Sequence, residues 1–140
     1  MEVERKSIRY LTNFEVLQLI NSRLESKKKI RSQQTLLYTS SKYLKTKTSC
    51  STQTPEAIHK FCQAVKRFRL TRLEILMLIN HCPSTQVELS VLIGDLDSRL
   101  TAKDTDRLLG LVAKHFPEGV TASQAINSAG VSEETDITSQ

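Results

Sequence analysis

The sequence predicts a mainly all-α protein, and three observations carry that prediction. Threonines stand three positions ahead of an acid at points where a helix would begin, one further threonine is followed by a proline suited to the first helical position, and apolar residues recur at helical spacing behind these starts. A hydroxyl at the N-cap accepts from a free amide of the first turn, and an acid three residues on accepts from the cap's own amide. Thr12-Asn13-Phe14-Glu15, Thr71-Arg72-Leu73-Glu74 and Thr85-Gln86-Val87-Glu88 have this form, and Thr101-Ala102-Lys103-Asp104 reads as a version with a shorter acid. Thr54-Pro55-Glu56 adds a start, because proline at the first helical position gives up an amide that had no partner. Roughly five helices follow from these signals.

Taken in chain order, Ser7-Ile8-Arg9-Tyr10-Leu11 alternates and reads as an edge strand able to pair with another chain. Leu17, Ile20 and Leu24 form the stripe of the first helix. From Lys27 to Thr35 the pattern weakens into a basic loop, followed by a short amphipathic helix through Leu36, Leu37, Tyr43 and Leu44. Ile58, Phe61, Cys62, Val65 and Phe68 make the next stripe. Leu73 to Ile79 is apolar on nearly every side and reads as a central buried helix, stopped by Pro83. Leu108, Leu109, Val112 and Phe116 make the last stripe. Beyond it, Ser, Thr, Ala, Gly and acids predominate, so residues 118–140 are expected to form a disordered acidic tail, with at most a short transient helix around Thr121 to Ser128.

Composition bounds the function. The chain of 140 residues suits one core or two small helical units sharing one. No run reaches the length of a membrane helix, and Met1-Glu2-Val3-Glu4-Arg5-Lys6 lacks an apolar signal core behind it, so neither membrane insertion nor secretion is expected. Cys50, Cys62 and Cys82 are odd in number and widely spaced, which fits reduced thiols. Residues 1–50 carry a net charge of +7, residues 51–116 +2 and the tail −4, a polarity that would orient the chain on an acidic partner or near nucleic acid.

A catalytic reading finds no support in the residues. His59, His81 and His115 are far apart, no Cys-x-x-Cys occurs, and no nucleophile elbow or phosphate-cradling loop is present. No catalytic, cofactor-binding or metal-binding residue is therefore assigned, and no cofactor is expected. Glu74, His81 and Arg99 are read as cap, loop and surface residues without mutual geometry. Lys27, Lys28, Lys29 and Arg31 leave three readings open: a solvated loop, a contact with nucleic acid or an acidic protein surface, or a nuclear-import signal. Without interleaved aromatics, a single-stranded grip by this run alone would be weak and salt-sensitive.

Leu11-Thr12-Asn13-Phe14-Glu15-Val16, Thr54-Pro55-Glu56, Leu70-Thr71 with Glu74, Asn80-His81-x-Pro83-x-Thr85-x-Val87-Glu88-Leu89 and Arg99-Leu100-Thr101 together resemble a known family. It is that of the smaller stalk subunits of RNA polymerases, which includes the fourth subunit of RNA polymerase II and its archaeal counterpart. Within it the chain looks most like the RNA polymerase III branch, also described as the calcitonin gene-related peptide receptor component. The resemblance runs from about Leu11 to Phe116; position 82 is Cys where relatives often carry Arg.

The resemblance implies a noncatalytic nuclear protein. Residues 1–50 would bind a larger stalk subunit with an oligonucleotide-binding (OB-fold) barrel, and residues 51–117 would form an HRDC-like helical domain. The heterodimer would join the polymerase III core, meet initiation factors and support initiation at genes for transfer RNA and other short transcripts, touching nucleic acid only indirectly or weakly. Leu11, Phe14, Val16, Leu17 and Ile20 are the expected partner-binding residues. Two rival functions stand beside this one: a free-standing nucleic-acid-binding module of HRDC type, and an intracellular adaptor for a peptide-hormone receptor.

Overall fold

The computed structural model describes residues 9–26 and 30–137, with side-chain surroundings described as far as Ser128. Among the described residues the chain forms helices α1 (Asn13–Glu25), α2 (Arg31–Lys47), α3 (Pro55–Ala64), α4 (Arg72–His81), α5 (Gln86–Leu92), α6 (Leu96–Arg99), α7 (Ala102–His115) and α8 (Pro117–Ile137). Single 3-10 turns lie at Cys50–Thr52 and Lys66–Phe68. The described residues contain no strand, and the chain is mainly all-α. The alternating segment from Ser7 lies partly outside the described residues; Arg9 to Leu11 carry no strand.

The threonine starts act as their chemistry requires. The Glu15 amide donates to Thr12 Oγ1 at 3.2 Å while the Thr12 amide donates to Glu15 Oε1 at 3.2 Å, and Thr71 with Glu74 repeats the arrangement at 3.2 and 2.9 Å. At α5 the Glu88 carboxylate also takes the Ser84 amide at 2.7 Å. Asp104 closes a full box on α7, although its shorter stem leaves the Thr101 amide at 3.5 Å.

Burial divides into two apolar clusters. The larger gathers Phe61, Val65, Leu78, Leu89, Ile93, Leu108 and Val112, all with no exposed surface, from α3 to α7. Phe61 stacks obliquely on Phe116 at 5.1 Å between ring centroids. The smaller holds Leu17 and Ile20 of α1, Leu44 of α2 and Cys50, with Phe14, Val16, Leu24 and Leu37 at its edge.

A polar joint ties the clusters together. Helix α4 ends at Cys82 in a left-handed conformation, φ 45°, which costs an L-residue about 1–2 kcal/mol and is held there by its contacts. The Ser49 hydroxyl and Gln53 Nε2 both donate to Cys82 Sγ at 3.6 Å, and Gln53 Nε2 also donates to Ile79 O at 2.6 Å. Gln53 Oε1 is buried without a partner among the described residues. From the other side, the Asn13 amide donates to Asn80 Oδ1 at 2.9 Å, so a side chain at the end of α4 satisfies an open amide at the start of α1.

Four expectations change. Helix α2 begins at Arg31 and not after the basic run, because Ser32 to Thr35 continue the frame that puts Leu37, Ser41 and Leu44 on one side. Helix α4 is not buried all round: Leu78 and Ile79 are, Ile75 to Met77 are half-buried, and Leu73 is exposed. Glu74 and Arg99 do meet, Arg99 Nη1 and Nη2 donating to the two carboxylate oxygens at 2.6 and 3.0 Å, a two-point pairing between α4 and α6 across 25 residues of sequence. The tail expected to be disordered is helical to Ile137, since Gly119 lets α8 pass Cys82, Val120 joins the larger cluster, and Ser123 Oγ donates to His81 O at 2.8 Å.

Three outcomes follow. Phe61→Ala should cost about 3–5 kcal/mol in urea unfolding, because the side chain is wholly enclosed. A Cβ at Gly119 would lie 2.9 Å from Cys82 Sγ and 3.3 Å from Phe116 Cβ, so Gly119→Ala should cost about 1–3 kcal/mol despite alanine's better helix propensity. Arg99 holds the Glu74 carboxyl below the usual carboxylate range. A carboxyl more acidic in the folded chain contributes stability above its unfolded value and loses it as pH falls through the folded one. The stability difference between wild type and Glu74→Gln should therefore be full at pH 7 and shrink toward zero below about pH 4.

Candidate partner interface

The residues read from the sequence as partner-binding do not share one environment. Leu17 and Ile20 point into the smaller cluster, against Leu44 and Cys50, and serve to seat α1. Leu11, Phe14 and Val16 are half-buried, leaving part of each for a neighbour. Beside them Tyr10 is 73% exposed and Leu19 50%, which makes α1 and the residues before it the bearer of an outward apolar edge.

Sequence reasoning missed a second set. Ile30, Leu36, Tyr38 and Tyr43 of the α2 region are all more than half exposed. The signal was present: Leu37, Ser41 and Leu44 fall at i, i+4 and i+7, so Leu36 and Tyr43 lie off that inward stripe. Arg31, the first residue of α2, is exposed; Lys27, Lys28 and Lys29 lie outside the described residues. From Ser26 to Pro55 the sequence has seven Lys or Arg and no acid, a bias carried through the whole of α2.

A crevice of about 360 Å³ opens where the start of α1, the end of α2, the end of α4 and α8 converge. Asn13, Lys47, Asn80, His81, Ser123 and Asn127 contribute polar groups to its wall, and no acidic side chain is among the described residues that line it. On the far side of the Ser123 and Asn127 ridge lies a more apolar hollow of about 380 Å³ with Met77, Pro83, Val91 and Leu92.

Titratable groups are scattered. His59 sits 3.1 Å from Gln63 Nε2 at the surface, His81 is the last residue of α4, and His115 meets the Phe61 ring edge-on at 5.9 Å. Burial, then Lys114 and Lys60, push the His115 imidazole below its ordinary pKa. Burial raises the thiols of Cys62 and Cys82, which makes them weak nucleophiles. Among the described residues no three His, Cys, Asp or Glu gather as a metal would need, and no helix is long and apolar enough to cross a membrane.

Among the described residues the exposed features are an apolar edge on α1, a cationic and tyrosine-bearing α2, and the crevice between them and α8. The sequence matches the model of the RNA polymerase Rpb4 family along residues 10–116, a span that begins at the exposed Tyr10 and ends with Phe116 at the foot of α7. That stretch holds both apolar clusters but for the first turn of α8, and the chain belongs to the RNA polymerase Rpb4 family, as a noncatalytic subunit of an RNA polymerase.

Proposed function

We propose that this chain is the smaller stalk subunit of RNA polymerase III, a nuclear protein that pairs with a larger OB-fold stalk subunit and supports initiation at genes for transfer RNA and other short RNAs. The observation that carries the reading is the family match over residues 10–116, joined to the motif order from Leu11 to Thr101 that resembles the polymerase III branch. In this reading residues 1–50 hold the larger subunit and residues 51–117 form an HRDC-like body toward the core and initiation factors. The stretch 118–140 is dispensable for pairing. Leu11, Phe14 and Val16 make the contact while Leu17 and Ile20 keep α1 in place, and the run Lys27, Lys28, Lys29 and Arg31 meets nucleic acid or an acidic surface only weakly.

Affinity purification of the tagged chain from cells, followed by mass spectrometry, tests the assignment. Polymerase III core subunits and one larger stalk subunit should be retained in stoichiometric amounts; retention of polymerase II instead, or of no polymerase, rejects it. Within the pair, Phe14→Asp with Val16→Asp should abolish co-elution of the larger subunit on size exclusion. Leu17→Ala should lower stability by about 2–5 kcal/mol and affect pairing only through that loss.

A further inference from the structure

The outward side of α2 is not one surface. Tyr38 and Tyr43 are 67% and 61% exposed, yet five positions separate them, about 140° around the helix, so they face different ways. Arg31, Lys42 and Lys45 fall on the Tyr38 flank. Leu36, Tyr43 and Lys47 recur at i, i+7 and i+11 on the other, and that flank runs into the polar crevice, whose wall includes Tyr43 and Lys47.

The described wall of the crevice carries one cation, Lys47, and three side-chain amides, of which Asn127 Nδ2 already donates to Glu88 Oε1 at 3.5 Å. Asn80 Oδ1 is engaged by the Asn13 amide, which leaves Asn80 Nδ2 turned to other partners, and neither the Asn13 side chain nor the Lys47 ammonium bonds a described residue. His81 adds a ring nitrogen, and the neighbouring sequence from Ser26 to Pro55 contains no carboxylate to compete. An exposed Leu-Tyr pair leading to Lys47 and the side-chain amides of Asn13 and Asn80, with no acid among the described lining residues, complements a ligand that carries apolar side chains followed by carboxylates.

We propose that the Leu36, Tyr43 and Lys47 flank of α2, with the crevice at its end, is a docking surface for an acidic segment of a partner protein, one whose apolar residues lie on Leu36 and Tyr43 and whose carboxylates reach Lys47 and the asparagines. Single-stranded nucleic acid is the weaker fit. Successive bases need platforms along one track, and here the two tyrosines lie on opposite flanks. This flank lies within residues 1–50 but on α2, on a different helix from the Leu11, Phe14 and Val16 contact, and it stands whether or not the larger stalk subunit is held there.

The test uses the full chain, ¹⁵N-labelled, titrated with two probes: a synthetic 14-residue peptide bearing a Leu-Phe pair followed by four glutamates, and a uridine 14-mer RNA. The peptide should shift the amides of Tyr43, Lys47, Asn80 and His81. Lys47→Glu and Tyr43→Ala should each weaken it at least fivefold, and Lys45→Glu, on the opposite flank, less than twofold. All three residues are exposed, so circular dichroism should report an unchanged fold. No shift at millimolar peptide overturns the proposal. So does equal weakening by Lys45→Glu and Lys47→Glu, the mark of unspecific charge attraction, or RNA binding the crevice more tightly than the peptide does.

Discussion

Helix α4 stops at Cys82, and the left-handed turn there brings Ile79 O, Asn80 and the Cys82 thiol to a point where three other segments arrive. Gln53 and Ser49 reach it from the 3-10 turn side, Asn13 from the start of α1, and Gly119 from the start of α8. The two apolar clusters have no residue in common, and these polar contacts run between the segments that carry them. Directional bonds fix an orientation more sharply than apolar contact, and a hydrogen bond to a carbonyl shielded from water is costly to leave unmade. The positions of α1 and α8, and hence the crevice between them, depend on how one helix ends.

Features that rest on neighbours in sequence were legible. Each threonine start is a local exchange of hydrogen bonds, and all five mark helices at the expected residues. The stripes on α3 and α7 are equally local, and Phe61, Leu108 and Val112 lie where periodicity puts them. What was not legible depends on distance. Nothing near Glu74 announces Arg99, and a helix that is apolar on every side does not say which side the rest of the chain will cover. Helix α8 has weak periodicity of its own: the sequence suggests only a short transient helix around Thr121 to Ser128, and the contacts of its first turns with Cys82 and His81 are non-local.

The candidate interface shows the same split. Residues chosen on α1 for being apolar included two that the chain uses for itself, because a stripe alone does not distinguish an intramolecular from an intermolecular neighbour. On α2 the useful signal was the apolar residues displaced from the inward stripe, with cations around them and no acids among them. Those displaced residues add little to the described core, and exposed apolar side chains beside cations are the kind of surface that a partner can cover.

The three cysteines carry a consequence of their own, for they sit in three different parts of the architecture. Cys50 is sealed in the smaller cluster, Cys82 in the joint, and Cys62 stands half-covered on α3. A sealed thiol reacts with an alkylating reagent only when its surroundings part, so Cys50 and Cys82 time the breathing of the regions around them while the half-covered Cys62 marks the reaction of an accessible thiol. Labelled alone and with its partners, the chain would report through the order in which its thiols are modified which region an assembly clamps shut, without any foreign probe attached.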